Sequence, residues 1–208
     1  MSEIEQRAIA DIGGYFLQLY GAREGVLAAP DAVSALGAVA GVFAQFQARA
    51  LLAAGVLQNT ESSLIEVRTD DGGVYYFGDA LNACLLDGDA ARPAFWNYVA
   101  AMAGEAAVAE IDVGEIARHT ADALGGPGFG APRMPAPFAP SEAPLDAVKR
   151  HVPPLAGRFE ALELPPERLM HCFGAAAQGI ALFAAGEEPA LAADVAMPRA
   201  AQARLLME

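Results

Sequence analysis

The sequence predicts an α+β fold, predominantly α-helical, with one antiparallel β-hairpin at about residues 64–77. Three observations lead there. Alanine is abundant in a composition that is 54% hydrophobic, and β-branched residues are few, which favours helix. Apolar residues recur every three or four positions through most of the chain. Only from Leu64 to Phe77 does the pattern shorten to period two, around the turn sequence Asp71-Gly72.

The elements follow in order. Ser2 with Glu5 forms a capping box, and Ile4, Ala8, Ile12, Phe16 and Leu19 then mark an amphipathic helix ending near Gly21. Gly13-Gly14 inside it points to close packing against another helix, which would offset the helical cost of glycine. Pro30 and Asp31 open a second helix with the stripe Leu36, Val39, Phe43, Phe46 and Ala50. Beside that stripe, Gly37 and Gly41 have the spacing that lets one helix cross closely over another.

In the hairpin, a turn centred on Asp71-Gly72 sets Val67 opposite Tyr76 and Arg68 opposite Tyr75. One face then carries Ile65, Val67, Val74 and Tyr76, and the other Glu66, Arg68, Tyr75 and Phe77. Asp79 is read as the N-cap of a short helix bearing Leu81, Cys84 and Leu85, with Gly88 ending it. A further helix begins at Arg92-Pro93 with Phe95, Tyr98, Val99 and Met102 on one face and Trp96 at its flank. Asp112 and Glu115 cap another, which turns Val113, Ile116, Ala117, Thr120 and Leu124 inward and leaves His119 on a polar face.

Residues 125–144 hold six prolines and four glycines, which forbids regular structure, yet they include Phe129, Met134 and Phe138. The segment reads as an extended arm laid over this chain or a partner. Leu145, Val148 and Val152 then suggest a short helix closed by Pro153-Pro154. Pro165-Pro166 open a longer one with Leu169, Phe173, Ala176, Ile180 and Phe183 buried, followed by two short pieces near 191–195 and 198–207. The organisation expected is a helical core with hairpin over 1–124, the arm over 125–144, and a helical segment over 145–208 packing on the first part, one domain rather than two.

Charge and composition narrow the function. A net charge of −13 with no basic cluster repels phosphate backbones, so no nucleic-acid partner is expected. The two cysteines do not make a disulfide framework. The start, MSEIEQR, lacks a secretory pattern, and the uncharged stretches around 32–48 and 172–186 read as too short for a spanning helix. A soluble cytoplasmic protein with no membrane partner is the expectation. No Cys or His spacing suits a metal, no cofactor motif is present, and the glycines of 125–130 follow a helix rather than a strand. His171 and Cys172 are adjacent on a helix, about 100° apart, and cannot activate each other.

The leading expectation is therefore a non-enzymatic protein acting through association, as a homodimer. An uncovered hairpin edge and an apolar arm motivate it, with Arg68, Tyr75, Phe77, Phe129 and Phe138 as interface candidates. The alternative is a binder of a small apolar ligand, in a pocket near Trp96, Tyr98 and Phe173 with Asp79 and Asn82 as polar contributors. A third possibility is an enzyme in which Asp79, Asn82, His171 or Cys172 converge in one cleft.

Overall fold

A computed structural model describes residues 1–21, 28–70, 72–89, 92–126, 128–134 and 139–184. Phe138 and the two pieces after Gly186 lie outside the described residues. Among the described residues, seven helices and one two-stranded antiparallel sheet follow in the order α1 (Glu3–Tyr20), α2 (Ala29–Ala53), β1 (Ile65–Arg68), β2 (Val74–Phe77), α3 (Asp79–Leu85), α4 (Phe95–Ala109), α5 (Val113–Asp122), α6 (Pro144–Leu162) and α7 (Leu169–Ala184). The α+β class with a dominant helical part and a single hairpin is thus the observed one.

Helix α2 is the centre. It packs against α1, α3, α6 and α7, while α7 also meets α1 and α4. The core is built from Ile12 and Phe16 of α1, Leu36, Val39 and Phe43 of α2, Leu155 and Phe159 of α6, and Met170, Phe173 and Ile180 of α7. Phe43, Phe159 and Phe173 pack as a ring cluster with centroids 5.1–5.7 Å apart. By length and composition α2 could cross a membrane, contrary to the expectation that its uncharged stretch is too short. Half of that window is buried within the protein.

Several local expectations are corrected. The stripes of α1 and α2 drift at their ends. Ile4, Leu19 and Phe46 are exposed, and Glu5, Ile9, Leu17 and Gln47 are buried in their place. The Ser2–Glu5 capping box does form: the Glu5 N–H donates to Ser2 Oγ at 3.2 Å and the Ser2 N–H to Glu5 Oε2 at 2.6 Å. Arg168, just before α7, donates to the other oxygen of Glu5, so the cap doubles as a tertiary tie. Gln47 is buried because its Oε1 accepts the Met170 N–H at 2.8 Å, satisfying a free amide in the first turn of α7.

The hairpin register differs by one residue from the expected one. Ile65 pairs with Phe77, Glu66 with Tyr76, Val67 with Tyr75 and Arg68 with Val74. The Gly72 N–H donates to Thr69 C=O and the Thr69 N–H to Gly73 C=O, with Gly72 at φ +85°, so the loop has three residues. Asp71 itself is outside the described residues. The slip exchanges partners across the faces. Ile65, Val67, Tyr75 and Phe77 now share one, and Glu66, Arg68, Val74 and Tyr76 the other.

The N-cap of α3 is Gly78 at φ +126°, not Asp79. A Cβ on Gly78 would fall 2.4 Å from the Ser62 carbonyl oxygen, because the Ser62 and Ser63 carbonyls themselves accept the Asp79 and Ala80 N–H groups. Helix α4 is interrupted at Gly104, and neither α4 nor α5 buries a residue; Ile116, expected inward, is exposed. The N-cap of α5 by Asp112 is present, with the Glu115 N–H donating to its Oδ1 at 2.8 Å. Helix α6 runs straight through Pro153-Pro154, where a stop was expected. Both prolines lie on its exposed side, and the buried His151, Leu155 and Phe159 bracket them, so core burial offsets the lost helical hydrogen bonds.

Candidate functional site

A groove of about 1050 Å³ opens along α2, on the side away from the core. Its floor is two rows of α2, Ala29, Val33, Gly37, Gly41 and Gln45 in one and Pro30, Ser34, Ala38 and Val42 in the other. These rows follow from the four-residue spacing of a helix face, and from Ala29 to Gln45 they extend about 24 Å. A Cβ built on Gly37 or Gly41 meets nothing within 4 Å. Among the described residues no helix crosses closely there; the glycines instead deepen the groove. Nor does any atom come within 4 Å of a Cβ on Gly14.

One wall is strand β2 over its whole length, continued by Leu81, Asn82 and Leu85 of α3. The opposite side comes from Leu145 and Val148 of α6 and Ala181 and Ala184 of α7. The arm supplies Phe129, Gly130, Pro132 and Met134, and Phe129 meets Tyr75 edge to face with centroids 4.7 Å apart. Its far end is tied down by Ser141, whose N–H and Oγ donate to Asp31 at the start of α2. The described parts of the arm, around Phe129 and Ser141, therefore lie against this chain. Among the described lining residues none carries a formal charge, and the polar ones are Ser34, Gln45, Tyr75, Tyr76, Asn82 and Thr120.

The candidate residues scatter relative to this groove. Tyr75, Phe77, Phe129 and Asn82 line it. Arg68 is not on the lining and pairs with Glu66 at 2.6 Å. Asp79 accepts from Ser62 Oγ at 2.6 Å, an arrangement that closes the entry to α3. Phe173 is fully buried in the ring cluster, and Trp96 does not line the groove. Tyr98 packs on α7 at Gly174, where a Cβ would stand 2.2 Å from its ring. The groove was missed in the sequence because a row of Gly, Ala and Ser looks the same whether a helix covers it or nothing does.

Two histidines form polar clusters beneath the surface. His151 Nε2 lies 2.9 Å from the Tyr20 hydroxyl and Nδ1 2.9 Å from the Tyr15 hydroxyl. Tyr20 donates to Glu142, so its oxygen accepts from Nε2–H and Nδ1 accepts from Tyr15. Burial, reinforced by the bond to Glu142, pushes the Tyr20 hydroxyl pKa well up. Burial lowers the pKa of His151, against the pull of Glu142. Glu142 also pairs with Arg150 at 3.0 Å, fixing the end of the arm to α6. Both ring nitrogens of His151 are thus partnered, while Glu142 Oε1 is buried with no hydrogen bond and has only the Arg150 ion pair.

The second cluster joins Tyr98, whose hydroxyl bonds His171 Nδ1, to the nearby Glu5–Arg168 pair. Burial and then Arg168 lower the His171 pKa, and its Nε2 is enclosed without a hydrogen bond. Burial raises the Cys84 thiol to about 11 and Cys172 to about 12, so neither is a ready nucleophile. Among the described residues, no hydrogen bond joins any two of Asp79, Asn82, His171 and Cys172, and no group of His, Cys, Asp or Glu is placed to hold a metal.

No protein-family model, curated protein or solved structure matches this chain.

Proposed function

We propose that this protein is a non-enzymatic cytoplasmic binding protein that holds an elongated, uncharged apolar ligand in the groove along α2. The observation that carries the reading is a groove of about 1050 Å³ whose described lining residues include no charged side chain. That volume is at the upper end of small-molecule sites, which are mostly apolar with a few polar groups for orientation. Tyr75, Asn82 and Gln45 are placed to supply such contacts. A charged headgroup would find no counter-charge inside, so the ligand class is a neutral chain or ring system rather than an ionised one.

The test is native mass spectrometry of the purified protein with retention of bound small molecules, followed by the same measurement on Gly37→Leu/Gly41→Leu. The expectation is an added mass that the double variant loses while staying folded, because both glycines face open space. An added mass retained at full occupancy by the variant would place the ligand elsewhere and end this reading.

A second reading, homodimeric association, draws on a different observation. Met102, Ile111 and Ile116 around α4 and α5, and Ile65 and Val74 on the hairpin, are exposed. Light scattering across a concentration series tests it, with Ile111→Glu/Ile116→Glu expected to shift any dimer to monomer. A monomer at high micromolar concentration would rule association out.

A further inference from the structure

Helix α7 ends on the wall of the groove. Ala181 and Ala184 are both on its wall, and Ala184 is the last residue of the helix. Twenty-four residues follow in the sequence, 185–208. The first of them, Ala-Gly-Glu-Glu-Pro, are short and polar enough to turn the chain. Residues 190–197, ALAADVAM, come next and carry one charge, Asp194. Leu191 with Val195 and Ala192 with Ala196 have the same four-residue spacing as the two rows of α2.

From these facts we infer that residues 190–197 are the groove's resident occupant, an intramolecular competitor that an apolar ligand must displace. The inference rests on the reading of the groove as an apolar binding site. Three things favour this occupant. The chain leaves α7 at the groove wall, so docking costs little loop closure over a five-residue turn. As a helix, eight residues span about 12 Å, which fits within a floor of about 24 Å. The uncharged lining matches a stretch whose exposed face would be apolar and whose one carboxylate can stay at the mouth. A tethered segment also acts at high effective concentration, so weak contacts suffice to fill the site.

Two measurements on the full-length chain test it. The first locates the segment without any ligand. Ala38→Cys/Val195→Cys is oxidised mildly and analysed by mass spectrometry, beside Gly14→Cys/Val195→Cys, whose first cysteine stands on α1 in open space. An intramolecular disulfide is expected in the first pair and not in the second. Absence of the bond in the first pair, or equal bonding in both, overturns the inference whatever a ligand does.

The second reads competition with the neutral dye Nile red. Leu191→Glu/Val195→Glu is expected to bind it about tenfold more tightly than the unmodified chain, the effect of freeing a site filled nine-tenths of the time. The added Gly37→Leu/Gly41→Leu substitutions are expected to abolish that gain. Equal affinity with and without the tail substitutions, for dye seated in the groove, overturns the competitor role. If the selective disulfide forms but dye never enters the groove in any variant, the segment's placement stands and the ligand-binding reading falls.

Discussion

Two glycines five residues apart on α7 are expected to respond to the same substitution with opposite signs. Gly179→Ala adds a methyl where no atom lies within 4 Å. Its effect is the helical preference for alanine, about 1 kcal/mol in favour of the fold. Gly174→Ala gains the same amount but places its Cβ 2.2 Å from Cδ2 and 2.7 Å from Cγ of Tyr98. The ring cannot yield by a tip movement, since the clash is with its base, so the whole side chain must shift. Overpacking of this kind costs about 1–3 kcal/mol. Shifting Tyr98 also breaks its bond to His171, about 1 kcal/mol more, at an imidazole whose Nε2 already lacks a partner. With about 2 kcal/mol for overpacking, the net is about 2 kcal/mol of destabilisation. Urea unfolding followed by circular dichroism measures both variants, with the midpoint expected to rise for Gly179→Ala and fall for Gly174→Ala at unchanged slope. A rise in both would refute the reasoning that Tyr98 is seated directly on α7.

Three other outcomes are expected. Tyr20→Phe leaves both His151 Nε2 and Glu142 short of a partner and is expected to cost about 2 kcal/mol, against about 1 kcal/mol for Tyr15→Phe, in the same unfolding assay. Gln47→Leu strands the Met170 N–H in the core and is expected to cost about 1–3 kcal/mol in the same assay; an unchanged urea midpoint would remove that hydrogen bond from the account. The histidines set the acid limb of stability. Burial holds both below their ordinary 6.5, so the unfolded chain binds more protons than the folded one below that pH. Stability is therefore full above about 6.5 and declines as pH falls toward the folded values. His171→Gln is expected to flatten the urea midpoint between pH 6.5 and 5, and an unchanged profile would remove His171 from the account.

The amino-acid sequence by itself determined that the chain is mostly helical, where the hairpin lies and how two helices begin, because these depend on local matters: four-residue spacing, period-two alternation, and the oxygens of Ser2 and Asp112 that cap free amides. It also marked Tyr75, Phe77, Phe129 and Asn82 as residues to watch, though not that they would line one groove. What depends on partners distant in sequence was settled only by the tertiary structure. The hairpin register turned on one extra loop residue, invisible in a run of Asp and Gly. The continuation of α6 through Pro153-Pro154 was decided by Leu155 and Phe159, whose burial a local reading of proline does not weigh. The largest difference is at Gly37 and Gly41. Their spacing fits either a helix crossing or an open floor, and the choice rested on where α3, α6, α7 and the arm came to lie. Secondary structure is written in near neighbours, whereas a groove is the space that several remote segments leave between them.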